Sequence, residues 1–230
     1  TDWNKLLIKN QATGVRHNVN VSGGSEKVKT NFSLGYENQD ALYALREWTR
    51  YTGRLNNDIK INKRIGVTSD VAFRIVESDN PIIDPTGNIT NAPIYNAFHQ
   101  DGRLAGGRNN GNSYGRLHSG SFSNSNSYNL SAKIGVYVKP INDLKITLNF
   151  APNFSFSETK TWSKPQPYWA FDDPNQVQAP QMIFQVLEAS LGESRSNTNT
   201  FTKQAFINYD KVFGDHTIGL VAGYEDFTSK

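Results

Sequence analysis

The stretch Lys27-Val28-Lys29-Thr30-Asn31-Phe32-Ser33-Leu34-Gly35-Tyr36-Glu37 alternates between two kinds of side chain. Its odd positions are lysine, asparagine, serine, glycine and glutamate, whereas its even positions are Val28, Thr30, Phe32, Leu34 and Tyr36. Successive side chains of a β-strand point to opposite faces, so this segment predicts a strand with one apolar and one polar face. A wall with hydrocarbon on one side and water on the other is what an outer-membrane β-barrel requires.

The same alternation recurs along the chain and predicts eight strands. Several of them exceed ten residues, which is long for a soluble β-sandwich and normal for a tilted strand that crosses a membrane. No window approaches about 18 consecutive apolar residues, so the sequence excludes a membrane-spanning helix. The predicted strands are Val15–Val21, Lys27–Glu37, Gly53–Asn62, Ile65–Ser78, Asn124–Lys139, Leu144–Ser157, Thr198–Lys211 and Asp215–Phe227.

The connections between these strands alternate between short and long. In an antiparallel meander every second connection lies at the same rim, so we expect the short turns at one rim and the long loops at the other, as in bacterial outer-membrane barrels. Loops of this length are usually functional. Within the last one, Gln181–Ala189 is compatible with a short helix. The long connections are Asn38–Thr52, Asp79–Ser123 and Glu158–Asn197.

The composition fits such a wall better than it fits a soluble core. Of the 230 residues only 37% are hydrophobic and the mean hydropathy is −0.58, yet 12% are aromatic. A barrel tolerates this because its inner face can be fully polar. The net charge is +3, and the 24 basic residues are scattered among 21 acidic ones without a basic stripe, so we expect no nucleic-acid binding. The absence of cysteine excludes disulfides and thiolate metal sites.

Both ends of the chain favour a segment of a longer protein. Thr1-Asp2-Trp3-Asn4 lacks the basic and apolar regions of a signal peptide. The last residues, Gly223–Lys230, follow a strand pattern with no closing element.

Four aromatic residues of the last long loop are candidate substrate-binding residues. Their rings could stack on sugars or pack against a partner protein. Alternatively, they fold the loop back on itself or lie at the membrane interface. They are Trp162, Tyr168, Trp169 and Phe171.

Mixed charges occupy the polar positions of the predicted strands. We expect them to face the lumen and to pair across strands. The four histidines lack ligand spacing, and no nucleophile elbow, P-loop or dinucleotide fingerprint is present, so we expect no enzyme activity, no metal site and no cofactor. The expected lumen residues are Arg54, Asp58, Lys60, Asp70, Arg74 and Lys133.

Several segments resemble SusC/RagA-type TonB-dependent transporters. The most specific is the first hairpin, which runs from His17 to Lys27 and is followed by Ser33-Leu34-Gly35-Tyr36 and Asn38-Gln39-Asp40. Further matching segments are Arg54-Leu55-Asn56 with Asp58, Ile61-Asn62-Lys63, Asn208-Tyr209, Phe213-Gly214-Asp215-His216 and Gly223-Tyr224-Glu225.

The resemblance implies an all-β, antiparallel, up-and-down segment of a transmembrane barrel in the cell outer membrane. About eight strands of a barrel of about 22 would lie in residues 1–230, as part of one barrel domain, with the plug domain absent. It also implies TonB-dependent import of glycans or peptides. The implied partners are a SusD-like surface lipoprotein, which forms a lid, and the TonB complex, which acts through the absent plug segment. No catalytic or metal motif of the family maps onto these positions.

Two features depart from the family: the plug domain and the TonB-contacting segment have no counterpart in this sequence, and Leu42–Trp48 is longer and more helical than expected. Two alternatives stay open. A complete eight-stranded outer-membrane barrel with a structural or adhesion role predicts that the first and eighth strands pair. A soluble carbohydrate-binding β-sandwich predicts that the apolar positions, Phe32, Leu130, Ile146 and Leu220 among them, meet in a dry interior.

Overall fold

Eight antiparallel strands form one sheet in the computed structural model, which describes residues 1–83, 92–107, 111–170, 182–184 and 188–230. Neighbouring strands follow chain order, and a separate two-stranded sheet of residues 167–169 and 182–184 interrupts the sequence of large-sheet strands between residues 163 and 190. The large sheet contains β1 (Gly14–Gly24), β2 (Val28–Asp40), β3 (Glu47–Lys60), β4 (Ile65–Asp79), β5 (Phe122–Ile141), β6 (Leu144–Ser163), β9 (Ser190–Phe213) and β10 (His216–Ser229). The short elements are α1 (Trp3–Leu7), α2 (Ser113–Leu117), β7 (Pro167–Trp169) and β8 (Met182–Phe184).

All eight predicted strands are present, which confirms the all-β, antiparallel, up-and-down prediction. The sheet is open in this chain: β1 and β10 are its two edges and do not pair with each other. The alternative of a complete eight-stranded barrel required that pairing, so the structure does not support it.

The apolar side chains do not meet in a dry interior. Phe32, Leu130 and Leu220 are 38%, 47% and 62% exposed on one face of the sheet. The soluble-sandwich alternative required these residues to be buried against a second layer, and the described residues provide none over this face.

Tight turns join the strands at one rim. Gly214 opens the β9–β10 turn at φ +57°, as the first central residue of a II′ hairpin requires. In the β3–β4 turn, the Asn62 side-chain oxygen accepts hydrogen bonds from the backbone N–H of Arg64 and Ile65 at 2.8 and 2.9 Å. These residues are common in turns because glycine supplies positive φ and asparagine caps the backbone locally.

Two sequence predictions at the opposite rim were wrong. Residues 42–48 are not helical: β2 continues to Asp40, β3 begins at Glu47, and the backbone N–H of Ala41 closes the connection onto the Arg46 carbonyl at 3.0 Å. The second prediction was the short helix within Gln181–Ala189. The described part of that range contains β8, because its residues pair with β7.

The hydrophobic core lies among the loops and not against the sheet. It joins α1, the β2–β3 connection and the β4–β5 loop through Trp3, Leu7, Tyr43, Ile83, Ala97 and Leu117. Each of these residues is at most 7% exposed. We call this set the loop core. α1 and α2 span five residues each, and the described chain contains no helix long and apolar enough to cross a membrane.

Candidate functional site

The cross-strand register assigns each side chain to one of two faces. Tyr36 pairs with His17 on one side and with Tyr51 on the other, and the same register continues through Ile75 to Tyr128 and Phe156. The ring centroids are 6.2 Å apart for His17 and Tyr36, 5.4 Å for Tyr36 and Tyr51, and 5.9 Å for Tyr128 and Phe156. This aromatic row runs across the strands on the apolar face, near the rim with the long loops. Aromatic rings favour the level of a membrane interface.

The apolar face carries a cross-strand ion pair on the tight-turn side of the aromatic row, Lys203 with Asp226 at 3.0 Å, and further charges beyond the row. Glu158 lies 3.8 Å from Arg195, and Lys160 lies 3.8 Å from Glu193, in successive pairs between β6 and β9. Trp162 follows on the same face, where it pairs with Phe122 and Leu191. The sequence predicted Trp162 in a loop, but β6 extends through it because cross-strand pairing with β9 continues to Ser163.

Two of the charged residues predicted for the polar face form a cross-strand ion pair. Arg54 on β3 binds Asp70 on β4 through two hydrogen bonds, of which the Nε–Oδ1 bond is 3.0 Å long. A paired geometry of this kind is specific because the planar guanidinium matches both carboxylate oxygens.

A second charged cluster on the polar face was missed by the sequence prediction. Glu37 accepts hydrogen bonds from Arg16 at 2.9 and 3.0 Å and also pairs with Arg50. The Arg50 guanidinium lies 5.3 Å from the centre of the Trp48 ring. A signal was present in the sequence, because the alternation of the third predicted strand continues before Gly53. Extending that strand backward would have placed Arg50 on the polar face.

A groove of about 820 Å³ lies on the polar face near the tight-turn rim. Asp58 lies in it, and one of its carboxylate oxygens is inaccessible and has no hydrogen-bond partner among the described residues. No group of three His, Cys, Asp or Glu side chains in the described chain is arranged to hold a metal ion. The lining includes Lys29, Asn31, Asn56, Asp70 and Lys133.

Asn112 fastens the two halves of the β4–β5 loop. Its side-chain nitrogen donates to the carbonyls of Ala97 and Ala105 at 2.7 and 2.8 Å, and its side-chain oxygen accepts from the Gly115 N–H at 2.9 Å as the cap of α2. The residue is 1% exposed. All three polar groups of a buried amide are thereby used, as burial requires.

Tyr168 is fully buried among the loops and not displayed to solvent. Its hydroxyl has no hydrogen-bond partner in the described part of the chain. Burial raises the pKa of Tyr168 to about 12, and the nearby charge of Arg116 opposes this rise. In this conformation the ring folds the loop back on itself, which is the alternative the sequence left open.

Trp169 is half-buried at the surface of the same loop cluster. Its backbone N–H donates to Leu104 at 2.9 Å, and its carbonyl accepts from Gly106 at 2.7 Å. The Arg103 guanidinium lies 4.7 Å from the centre of its ring. Of the four predicted substrate-binding residues, the structure thus brings Tyr168 and Trp169 together and places Trp162 elsewhere. Phe171 lies outside the described residues.

Sequence comparison finds one similar receptor. No family model matches the chain. A protein of Formosa agariphila named TonB-dependent receptor P26 is 26% identical over 105 residues, which cover 46% of this chain. The matched residues cover about a tenth of the length of that receptor.

Structure comparison finds peptide importers with the same fold. The RagAB peptide importer in its "closed-closed" state matches 98% of this chain with a TM-score of 0.73, at 18% identity and over 25% of its own chain. The RagAB peptide transporter matches all of this chain with a TM-score of 0.59, also at 18% identity and over 31% of its own chain. The chain therefore has the fold of part of a TonB-dependent transporter barrel, which confirms the resemblance to SusC/RagA-type transporters predicted from its strands.

Proposed function

We propose that this chain forms part of the wall of an outer-membrane, TonB-dependent importer of glycans or peptides. Residues 1–230 would lie within one barrel domain of about 22 strands, whose plug domain belongs to another part of the protein. The observation that carries the proposal is a single sheet with an uncovered apolar face, crossed by the aromatic row, and a charged face opposite. In water so large an apolar face is costly, whereas lipid covers it without cost.

The proposed mechanism is passage and not covalent chemistry. Cargo would be captured at the long-loop rim with a SusD-like lipoprotein as a lid, and would cross along the polar face when the TonB complex moves the plug. Similarity to a protein named as a TonB-dependent receptor and the shared fold with peptide importers support this proposal. Among the candidate substrate-binding residues, Trp169 has the position that fits cargo contact, since it is partly exposed on the loop cluster.

Labelling of two adjacent positions tests the placement of the wall. This chain contributes no cysteine, so in a full-length protein whose other cysteines are replaced, Leu130→Cys and Ser131→Cys provide matched single sites on opposite faces of β5. We expect quenching by brominated lipid of a fluorophore at 130 only, and labelling by a water-soluble maleimide at 131 only. Equal behaviour at both positions would refute a lipid-facing wall.

Uptake in cells tests the transport function. Fluorescent pools of oligosaccharides and of peptides are supplied to cells that carry the full-length protein. The cells are compared with and without TonB, and with and without the SusD-like lipoprotein proposed as the lid. We expect uptake of one pool that is lost without TonB and reduced without the lipoprotein. TonB-independent uptake, or no uptake of either pool, would contradict the proposal.

A further inference from the structure

We propose that the polar face forms a ladder of positive charges that selects carboxylate-bearing cargo. The inference rests on the proposed function, because it names the chemical class of the molecules that pass along this face. It comes from the register of the strands, which places at least one cation on each of five consecutive rungs. A rung is here a row of directly paired residues that share the polar face.

The cation ladder extends from the tight-turn rim toward the long-loop rim. Each rung is two residues further along the strands, so successive rungs lie about 6.8 Å apart. The pairs that define the rungs are Lys29 with Asp58, Asp70 with Lys133, Arg54 with Ala72, Thr52 with Arg74, and Glu37 with Arg50. The cation ladder is therefore Lys29, Lys133, Arg54, Arg74 and Arg50.

Positive charge exceeds negative charge on these rungs. Across β1–β5 the five cations and Arg16 face three carboxylates, those of Glu37, Asp58 and Asp70. Arg54 is neutralised by Asp70, and Glu37 is shared by two arginines. The described residues offer no hydrogen-bond or ion-pair partner within bonding distance to Lys29, Lys133 or Arg74, and all three are exposed.

The other half of the polar face is nearly neutral. On the same five rungs β6 and β9 present hydroxyl, amide and alanine side chains, and β10 adds one carboxylate, that of Glu225. The positive charge of these rungs is thus concentrated on the half of the polar face formed by β1–β5, which we call the cation track. The β6 and β9 residues are Asn149, Ala151, Asn153, Ser155, Ser157, Gln204, Thr202, Thr200, Thr198 and Ser196.

A track of this kind favours anions because rows of Lys and Arg side chains lower the energy of negative charge in a pore. Adjacent strands lie about 4.8 Å apart, so Arg54, Arg74 and Arg50 follow one another at about 8 Å, which is close to the Debye length of about 8 Å at physiological ionic strength. The steps from Lys29 to Lys133 and from Lys133 to Arg54 cross three and two strands and are longer, roughly 16 and 12 Å. An anionic group that moves among the three arginines therefore stays within reach of a cation. In an extended peptide, alternate residues repeat every 6.4–6.8 Å or so, which matches the rung spacing. Acidic peptides and uronic-acid oligosaccharides share the carboxylate that this track would bind.

Matched probes test the proposal on the full-length transporter. The probes are a fluorescent decapeptide of alternating aspartate and serine, the same peptide with asparagine for aspartate, an oligogalacturonate, and a neutral galactose oligomer of equal length. Binding is measured at low and high salt, and uptake is measured in cells. We expect at least one acidic probe to bind about tenfold or more tightly than its neutral counterpart, with the preference reduced at high salt. The acidic probe that binds identifies the source of the carboxylate.

Two variants connect that preference to the ladder. Arg74→Gln with Lys133→Gln, the double variant, removes two unpaired cations from exposed positions on the rungs. Lys63→Gln with Arg64→Gln, the turn variant, is the matched control, because it removes two exposed cations from the β3–β4 turn, outside the five rungs. We expect the double variant to weaken binding of the acidic probe about three- to thirtyfold without changing that of the neutral probe. The turn variant is expected to leave both unchanged.

Equal binding of the acidic and neutral probes by the unmodified protein would overturn the proposal, because the cations would then serve other acidic groups of the protein. An equal loss of both probes in the double variant would overturn it as well. In either case TonB-dependent uptake of a neutral probe would leave the proposed transport function standing.

Discussion

Replacing Asn112 by alanine is expected to open the loop cluster without unfolding the sheet. The variant removes three hydrogen bonds from a residue that is 1% exposed. The Ala97 carbonyl keeps a second bond, from the Ala105 N–H at 3.0 Å, but the Gly115 N–H and the Ala105 carbonyl lose the bond shown. Each orphaned buried group costs about 1–3 kcal/mol, so the loop cluster should lose about 2–6 kcal/mol.

Hydrogen exchange on the full-length protein measures this loss. A local loss of 2–6 kcal/mol corresponds to exchange that is faster by roughly thirtyfold to 25,000-fold at the amides of Ala105, Gly115 and Arg116. Amides of β5 should be unaffected, because their bonds are to neighbouring strands.

Asn112→Asp is a second, isosteric variant that tests the two donor bonds. Aspartate keeps the acceptor for Gly115 but loses both donors and directs a carboxylate at the carbonyls of Ala97 and Ala105. We expect this variant to open the loop at least as much as alanine does. Unchanged exchange in the alanine variant, or equal acceleration in β5, would refute the view that this amide fastens the loop.

Four further predictions concern the loops and one turn. Trp169→Ala should reduce cargo uptake several-fold more than Trp162→Ala, measured as initial rates with surface expression matched. Gly115→Ala places a methyl group about 2.7 Å from a Tyr168 ring carbon and should cost about 1–3 kcal/mol, seen as accelerated loop exchange. Because Tyr168 has a folded pKa of about 12 against about 10 when unfolded, its contribution to loop stability is full below pH 10 or so and is lost as the pH rises toward 12, and Tyr168→Phe should remove this dependence. Gly214→Ala places a residue with a Cβ at φ near +57° and should lower the free energy of unfolding by about 1–2 kcal/mol, visible as a lower melting temperature.

The strands could be predicted because each has one face in a different environment from the other. Between Lys27 and Glu37 the alternation is complete, and the structure forms β2 over nearly the same residues. The prediction failed where the environment changes along a strand. Glu158 and Lys160 occupy apolar-face positions beyond the aromatic row. The alternation of apolar and polar residues therefore stops in the sequence before the strand ends, and the sequence predicts a loop at Trp162.

The loop cluster could not be predicted, because its contacts join residues far apart in sequence. Asn112 follows a glycine- and asparagine-rich stretch and has no local pattern, yet it binds carbonyls 15 and 7 residues away. The same holds for Tyr168, whose burial depends on Gly115 leaving room for its ring.

The loop core ties Trp3 and Leu7 of α1 to Ile83, Ala97 and Leu117 of the β4–β5 loop. An engineer who transplants residues 80–121 into a related barrel to change its cargo would therefore leave half of an apolar interface behind. Such a chimaera needs residues 1–8 and the 41–46 connection from the same donor, since the loop core is inherited as three separate stretches of sequence and not as one.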